Sequence, residues 1–125
     1  MTHWKTLEPL EYDEQVAFFE WAERTKHIIP ELKHLYATLN GVWLPKQIAG
    51  RMKRAGHRKG VLDIVWPIAR HGYHGLYIEL KRRKSGRLSA AQKEEIEFLR
   101  AEGYCAGEVR GWEEAAKFIM KYIEG

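Results

Sequence analysis

At 125 residues the chain has room for one hydrophobic core and too little for two, so a single domain over residues 1–125 is predicted. No apolar run approaches the roughly 18 residues that a membrane span needs, and the start is mixed and acidic where a leader would be basic and then apolar, so a soluble cytoplasmic protein is expected. The 21 lysines and arginines exceed the 17 acids by only four, but their clustering in 46–60 and 81–87 points to a polyanionic partner more firmly than the net charge does.

The first predicted element is a helix from about Leu10 to Lys26, with Pro9 suited to its first turn. Glu11, Gln15, Phe18 and Ala22 share one stripe of it, which puts a carboxylate and an amide at the N-terminal end of a partly apolar face. The next stretch is open between short alternatives. Pro30 suits the start of a helical turn, Leu35 to Leu39 suits a strand, and Asn40-Gly41 is a turn signal. A basic helix is predicted from Pro45, with Gly56 as its C-cap.

"VLDIVWPI" (61–68) and "GLYIELK" (75–81) read as two strands joined by a loop suited to an antiparallel hairpin. Ser89 is placed to cap a helix from about Ala90 to Ala101, which Gly103 ends. A strand in "YCAGEVRG" and an amphipathic last helix from Trp112 complete the chain. The strand, helix, strand order near the end requires a parallel crossover, so the class is α/β with a small mixed sheet flanked by helices.

Side chains alternate faces along a strand, so Glu79 and Lys81 point the same way about 7 Å apart, with Leu76, Ile78 and Leu80 on the opposite, core face. Pairing of the two strands sets Asp63 across from Glu79. Two carboxylates that close raise one another's pKa unless a cation lies between them. Mg²⁺ suits such a pair, because it takes one or two carboxylates and fills its other positions with water and phosphate oxygens. The competing reading is an exposed ion pair on an edge strand, worth about 0–1 kcal/mol.

Gly60-x-x-Asp63 followed by Glu79-x-Lys81 resembles the PD-(D/E)xK nuclease superfamily, whose restriction-endonuclease-like core is the fold expected here. With "EYDEQ", "LNG", "KGVLDIVWP", "GLYIELK", "LSAAQ" and "GYCAGEVRGWEEAAKFI" in order, residues 8–123 look like the virus-type replication-repair nuclease module, VRR-NUC, in its stand-alone phage form. The chain departs from the family pattern at Leu39 and Leu62, where proline is usual.

The resemblance implies that Asp63 and Glu79 hold Mg²⁺, with Mn²⁺ a substitute, and that the Leu80 carbonyl is a further ligand. Lys81 would orient and help deprotonate the attacking water, Glu11 would complete the acidic cluster, and Gln92 would steady a ligand or water. Glu14 competes with Glu11 for the helix carboxylate, and Ser89-x-x-Gln92 is equally a capping box. Arg51, Lys53, Arg54, Arg58, Lys59, Arg82, Arg83, Lys84 and Arg87 would hold DNA phosphates, and phosphate contacts carry no sequence information.

The implied activity is metal-dependent endonucleolytic cleavage of branched or four-way (Holliday) junction DNA in replication, repair or recombination, inside a phage-infected or prophage-carrying bacterium. A homodimer is implied too, with Trp4, Trp43 and Phe118 as apolar side chains that a small domain does not bury entirely. The alternatives are a catalytically inactive DNA-binding module of the same fold and an RNA or single-strand nuclease. His71 and His74 read as loop residues in preference to a zinc site. Trp21, Trp66 and Trp112 read as core or interface residues, Trp43 has base stacking as a further option, and the single Cys105 reads as a buried residue.

Overall fold

The computed structural model describes residues 8–39 and 43–125. Helix α1 spans Glu11–Thr25, a 3-10 turn Pro30–His34, strand β1 Tyr36–Ala37 and helix α2 Lys46–Arg54. Strands β2 (Ile64–Trp66) and β3 (Leu76–Lys81), helix α3 (Ala90–Ala101), strand β4 (Cys105–Arg110) and helix α4 (Trp112–Glu124) follow. The strands lie in the order β1-β2-β3-β4, with the first two pairings antiparallel and β3–β4 parallel. This is the mixed sheet that the strand-helix-strand order predicts.

β3 is interior, and its two faces do different work. Leu76, Ile78 and Leu80 enter the main core with Ile64, Trp66 and Val109 of the neighbouring strands. Phe18 and Ala22 of α1 and Ala115, Ile119 and Tyr122 of α4 close over them. A smaller cluster of Leu62, Ile96, Leu99 and Ala106 seats α3. α1 is well placed for its dipole, since Glu11, Asp13 and Glu14 occupy the first turn, where negative charge is stabilised.

The element boundaries differ from expectation in instructive places. β2 stops at Trp66 because Pro67 has no N–H to continue the ladder. Asp63 precedes the first strand residue and still bonds through its carbonyl to the Thr38 N–H, at 2.8 Å. Pro9 stands outside the first turn of α1, because Leu10 is the N-cap. Ala55 is the C-cap of α2, and Gly56 follows it at φ 109. Leu39, one of the two departures noted above, has φ 61, which a proline ring forbids. The Asn40-Gly41 turn and Trp4 lie outside the described residues.

α2 buries none of its own residues, and Trp43, just before it, is 82% exposed. Phe118, expected to be incompletely buried, is half-buried and packs against the main core. Trp66 is fully buried, and Trp21 and Trp112 pack against the same core. Among the described residues no helix is long and apolar enough to cross a membrane.

Candidate metal centre and cation-lined cleft

The β2–β3 register pairs Ile64 with Ile78; one step further it sets Asp63 opposite Glu79. The Leu80 N–H, which has no β2 partner at that point, donates to Asp63 Oδ2 at 2.9 Å and fixes that carboxylate. N–H and C=O of one strand residue leave the chain on the same side, so the Leu80 carbonyl is directed to the edge where Asp63 lies. Glu11 reaches the same place from the first turn of α1. One carboxylate oxygen from each of Glu11, Asp63 and Glu79 lies within 4.8 Å of the others.

Glu79 is 1% exposed and Lys81 9%, so the pair is not an exposed ion pair on an edge strand. Glu79 Oε2 accepts from Gln92 Nε2 at 2.8 Å and lies 3.4 Å from Lys81 Nζ. Its other oxygen, Oε1, is buried and has no hydrogen-bond partner among the described residues. A buried carboxylate oxygen left unpaired costs about 1–3 kcal/mol or more. An unpartnered buried oxygen on a carboxylate clustered with two others has the chemistry of a divalent-cation ligand, and all-oxygen donors suit Mg²⁺ or Mn²⁺ over softer metals.

The electrostatics agree. Burial, and then the neighbouring Asp63 carboxylate, push the Glu79 carboxyl up to about 8, against the pull of Lys81. Asp63 is raised by burial in spite of the Leu80 N–H, and Glu11 is raised by burial and then by Asp63. Three acids that resist ionisation together gain most from a cation that lets them ionise.

Gln92 serves both ends of its amide. Its Oε1 accepts from the Ser89 N–H at 2.9 Å, and its own N–H donates to Ser89 Oγ at 3.1 Å, which completes the capping box. Its Nε2 is left to hold Glu79. The start of α3 is therefore locked to the carboxylate cluster. Gly60 permits the approach. At φ 89 it sits so close to α3 that a Cβ would lie 2.8 Å from Ala91 Cβ and 3.1 Å from that residue's backbone. Gly60→Ala is expected to destabilise the fold by about 2–4 kcal/mol, read as a fall in denaturant midpoint; an unchanged midpoint would refute this packing argument.

Glu14, the other candidate on α1, goes elsewhere. It is 1% exposed, takes two bonds from Arg83 at 2.7 and 3.2 Å, and accepts the Trp112 N–H at 3.0 Å. Arg83 also meets Glu113 at 2.5 Å. Arg82 donates to the carbonyls of Pro9 and Glu8 and lies 3.6 Å from the Glu8 carboxylate. Two cations assigned to phosphates from sequence are thus already engaged with the protein's own oxygens. Nothing in the sequence signals these pairings, since the partners are 69 to 74 residues apart.

A cleft of about 1020 Å³ opens over the cluster. Glu11, Asp63, Glu79, Lys81, Ser89 and Gln92 line it together with Lys53, Arg54, His57, Arg58 and Lys59. His57 was not anticipated. Arg51, Lys84 and Arg87 are exposed and are not among the lining residues. His71 reaches the Ile123 carbonyl and His74 lies edge-on to Tyr104, so they do not share a site. Cys105 is half-buried, with its thiol pKa raised by burial.

No family model matches the chain, and no curated protein does. Among solved structures, one described as a VRR_NUC domain protein superposes with a TM-score of 0.78. The two share 32% sequence identity over 94% of this chain and 91% of that one.

Proposed function

The chain belongs to the VRR-NUC family of nucleases, and on that premise we propose that it is a divalent-metal-dependent DNA endonuclease selective for branched or four-way junctions. The observation that carries this reading is the buried, unpartnered Glu79 Oε1 on a carboxylate clustered with Asp63 and Glu11, beside Lys81 and in a cleft lined by cations. Asp63, Glu79 and Glu11 would hold Mg²⁺, or Mn²⁺ in its place, with the Leu80 carbonyl as a further ligand. When bound, the cation lowers the pKa of water and polarises the scissile phosphoryl group.

The remaining work belongs to the chain. Lys81 orients the attacking water, helps its deprotonation and offsets the charge that develops on the phosphoryl oxygens. One P–O bond forms to that water, the ester P–O bond opposite breaks, and the leaving oxygen takes up a proton. Gln92 keeps Glu79 Oε2 occupied, which leaves Oε1 as that residue's ligand atom. Lys53, Arg54, Arg58 and Lys59 hold backbone phosphates along the cleft, and Arg51, Lys84 and Arg87 extend the basic surface. These contacts favour DNA shape over sequence. Exposed Trp43 supports a homodimer suited to a two-fold junction; a monomer in sedimentation with DNA at micromolar concentration would exclude one.

The test is cleavage of a labelled four-way junction, a matched duplex, a single strand and an RNA, with Mg²⁺, Mn²⁺ or EDTA, by wild type and Lys81→Ala. Metal-dependent junction cutting lost in the variant is expected. Binding without cutting would favour the inactive module, and preference for RNA or single strands would replace the junction reading. Log affinity is expected to fall linearly with log salt; a flat response would rule out the basic cleft.

A further inference from the structure

The loop after β3 carries a group of convergent hydrogen-bond donors, distinct from the carboxylate cluster. The N–H groups of Lys84 and Ser85 both converge on the Glu8 carboxylate, at 2.6 Å and at 3.1 to 3.2 Å. The Ser85 hydroxyl donates to it as well, and Arg82 Nε lies 3.6 Å away. Successive backbone N–H groups that converge with a hydroxyl and a cation form an anion-binding nest, the arrangement that cradles phosphates elsewhere. The donors pull the Glu8 carboxyl down to about 2, as a strong anion site does.

The loop does not depend on Glu8 alone for its shape. From the other side Arg110 Nη1 donates to the carbonyls of Arg82 and Ser85 at 3.1 and 2.8 Å, while its Nη2 is braced by Glu108 at 2.8 Å. These bonds anchor the peptide planes that flank the Lys84 and Ser85 amides, so part of the loop's shape is set by contacts other than Glu8. The loop begins one residue after Lys81, the lysine of the proposed site. A carboxylate is a poor final occupant for donors set in "KRRKSGR", the most cationic stretch beside the proposed site.

We infer that the Lys84–Ser85 nest is a phosphate subsite, and that Glu8 fills it in the free protein as an internal mimic that a backbone phosphate of the substrate displaces. This rests on the nucleic-acid reading above. Displacement makes Glu8 a brake on binding: DNA must compete with a tethered carboxylate before gaining this contact.

The sign of the effect separates this from a clasp that only secures the start of α1. Binding of labelled DNA is measured in Ca²⁺ across a salt series for wild type, Glu8→Gln, Glu8→Gln with Ser85→Ala, and Glu102→Gln as an exposed acid at the far end of α3. Glu8→Gln is expected to bind about three- to tenfold more tightly, with the salt slope steeper by about one phosphate, and Ser85→Ala should reverse part of that gain. Affinity equal to or below wild type, or a gain matched by Glu102→Gln, overturns the inference. Should Glu8→Gln fail to fold, the wild type still decides: its Lys84 and Ser85 amide resonances must shift on addition of DNA, and unmoved amides overturn it. Inorganic phosphate alone shifting them, with DNA inert, also overturns it. Failure of the wild type to bind any nucleic acid would overturn the nuclease reading itself.

Discussion

Glutamine in place of Glu79 is expected to lower metal-dependent cleavage by at least about 10²- to 10³-fold while making the metal-free protein more stable at alkaline pH. The two effects share one cause. Glu79 is 1% exposed, and with its carboxyl pushed up to about 8 it keeps its proton in the folded, metal-free chain, whereas the unfolded chain gives it up near 4.5. Between these values the folded state binds more protons, so stability falls as pH rises, by about 1.4 kcal/mol per unit for this one group. Asp63 and Glu11, also raised, act in the same direction. An isosteric neutral amide removes the Glu79 part of that penalty and with it a ligand oxygen.

Thermal unfolding in EDTA from pH 5 to 9 should therefore show the wild type falling relative to Glu79→Gln. Adding Mn²⁺ should restore the wild type alone, and its apparent metal affinity should rise up to tenfold per pH unit until about pH 8. Parallel pH curves for the two proteins, or Mn²⁺ binding unchanged in the variant, would remove Glu79 from the site.

A large stability loss is expected from a residue with no direct part in the chemistry. Arg83→Ala should cost about 2–4 kcal/mol, because it strips two donors from a carboxylate that is buried and keeps only the Trp112 N–H. The figure sits below that for a fully buried pair because Arg83 itself is 39% exposed, and water screens its side of the contact. For a domain of this size the loss corresponds to a melting temperature lower by about 10 °C. Arg83→Lys should recover only part of it, since one ammonium cannot reproduce the two-bond geometry. Pairing Arg83→Ala with Glu14→Leu should recover more, by removing the stranded charge. A melting temperature within about 2 °C of wild type for Arg83→Ala would show that Glu14 does not need its partner.

The two predictions divide the acids of α1 by function, and that division shows where reading the chain runs out. Alternation in residues 75–81, the Gly60-x-x-Asp63 spacing and the Ser89-x-x-Gln92 cap are local patterns. They rest on strand and helix periodicity, and they hold wherever the elements dock. From them the mixed sheet, the interior β3 and the pairing of Asp63 with Glu79 could all be written down before any coordinates.

Glu11 and Glu14 are another matter. Three residues apart, they project about 60° from each other on a helix of 3.6 residues per turn, so no period separates them. Their fates are set by how α1 docks on β3 and α4, which turns Glu11 to the carboxylate cluster and Glu14 to Arg83 and Trp112. Composition likewise marks Arg82, Arg83 and Lys84 as phosphate contacts, yet Glu8, some 75 residues earlier in the chain, already occupies the loop they form. Short-range repeat was enough to place the main helices, strands β2 to β4 and the reactive side chains that share a strand face, whereas the stretch from Pro30 to Gly41 stayed open between alternatives. Which carboxylate meets which cation became readable with the docked elements, because side-chain partners at long separation are chosen by the packing of whole elements and leave no local trace.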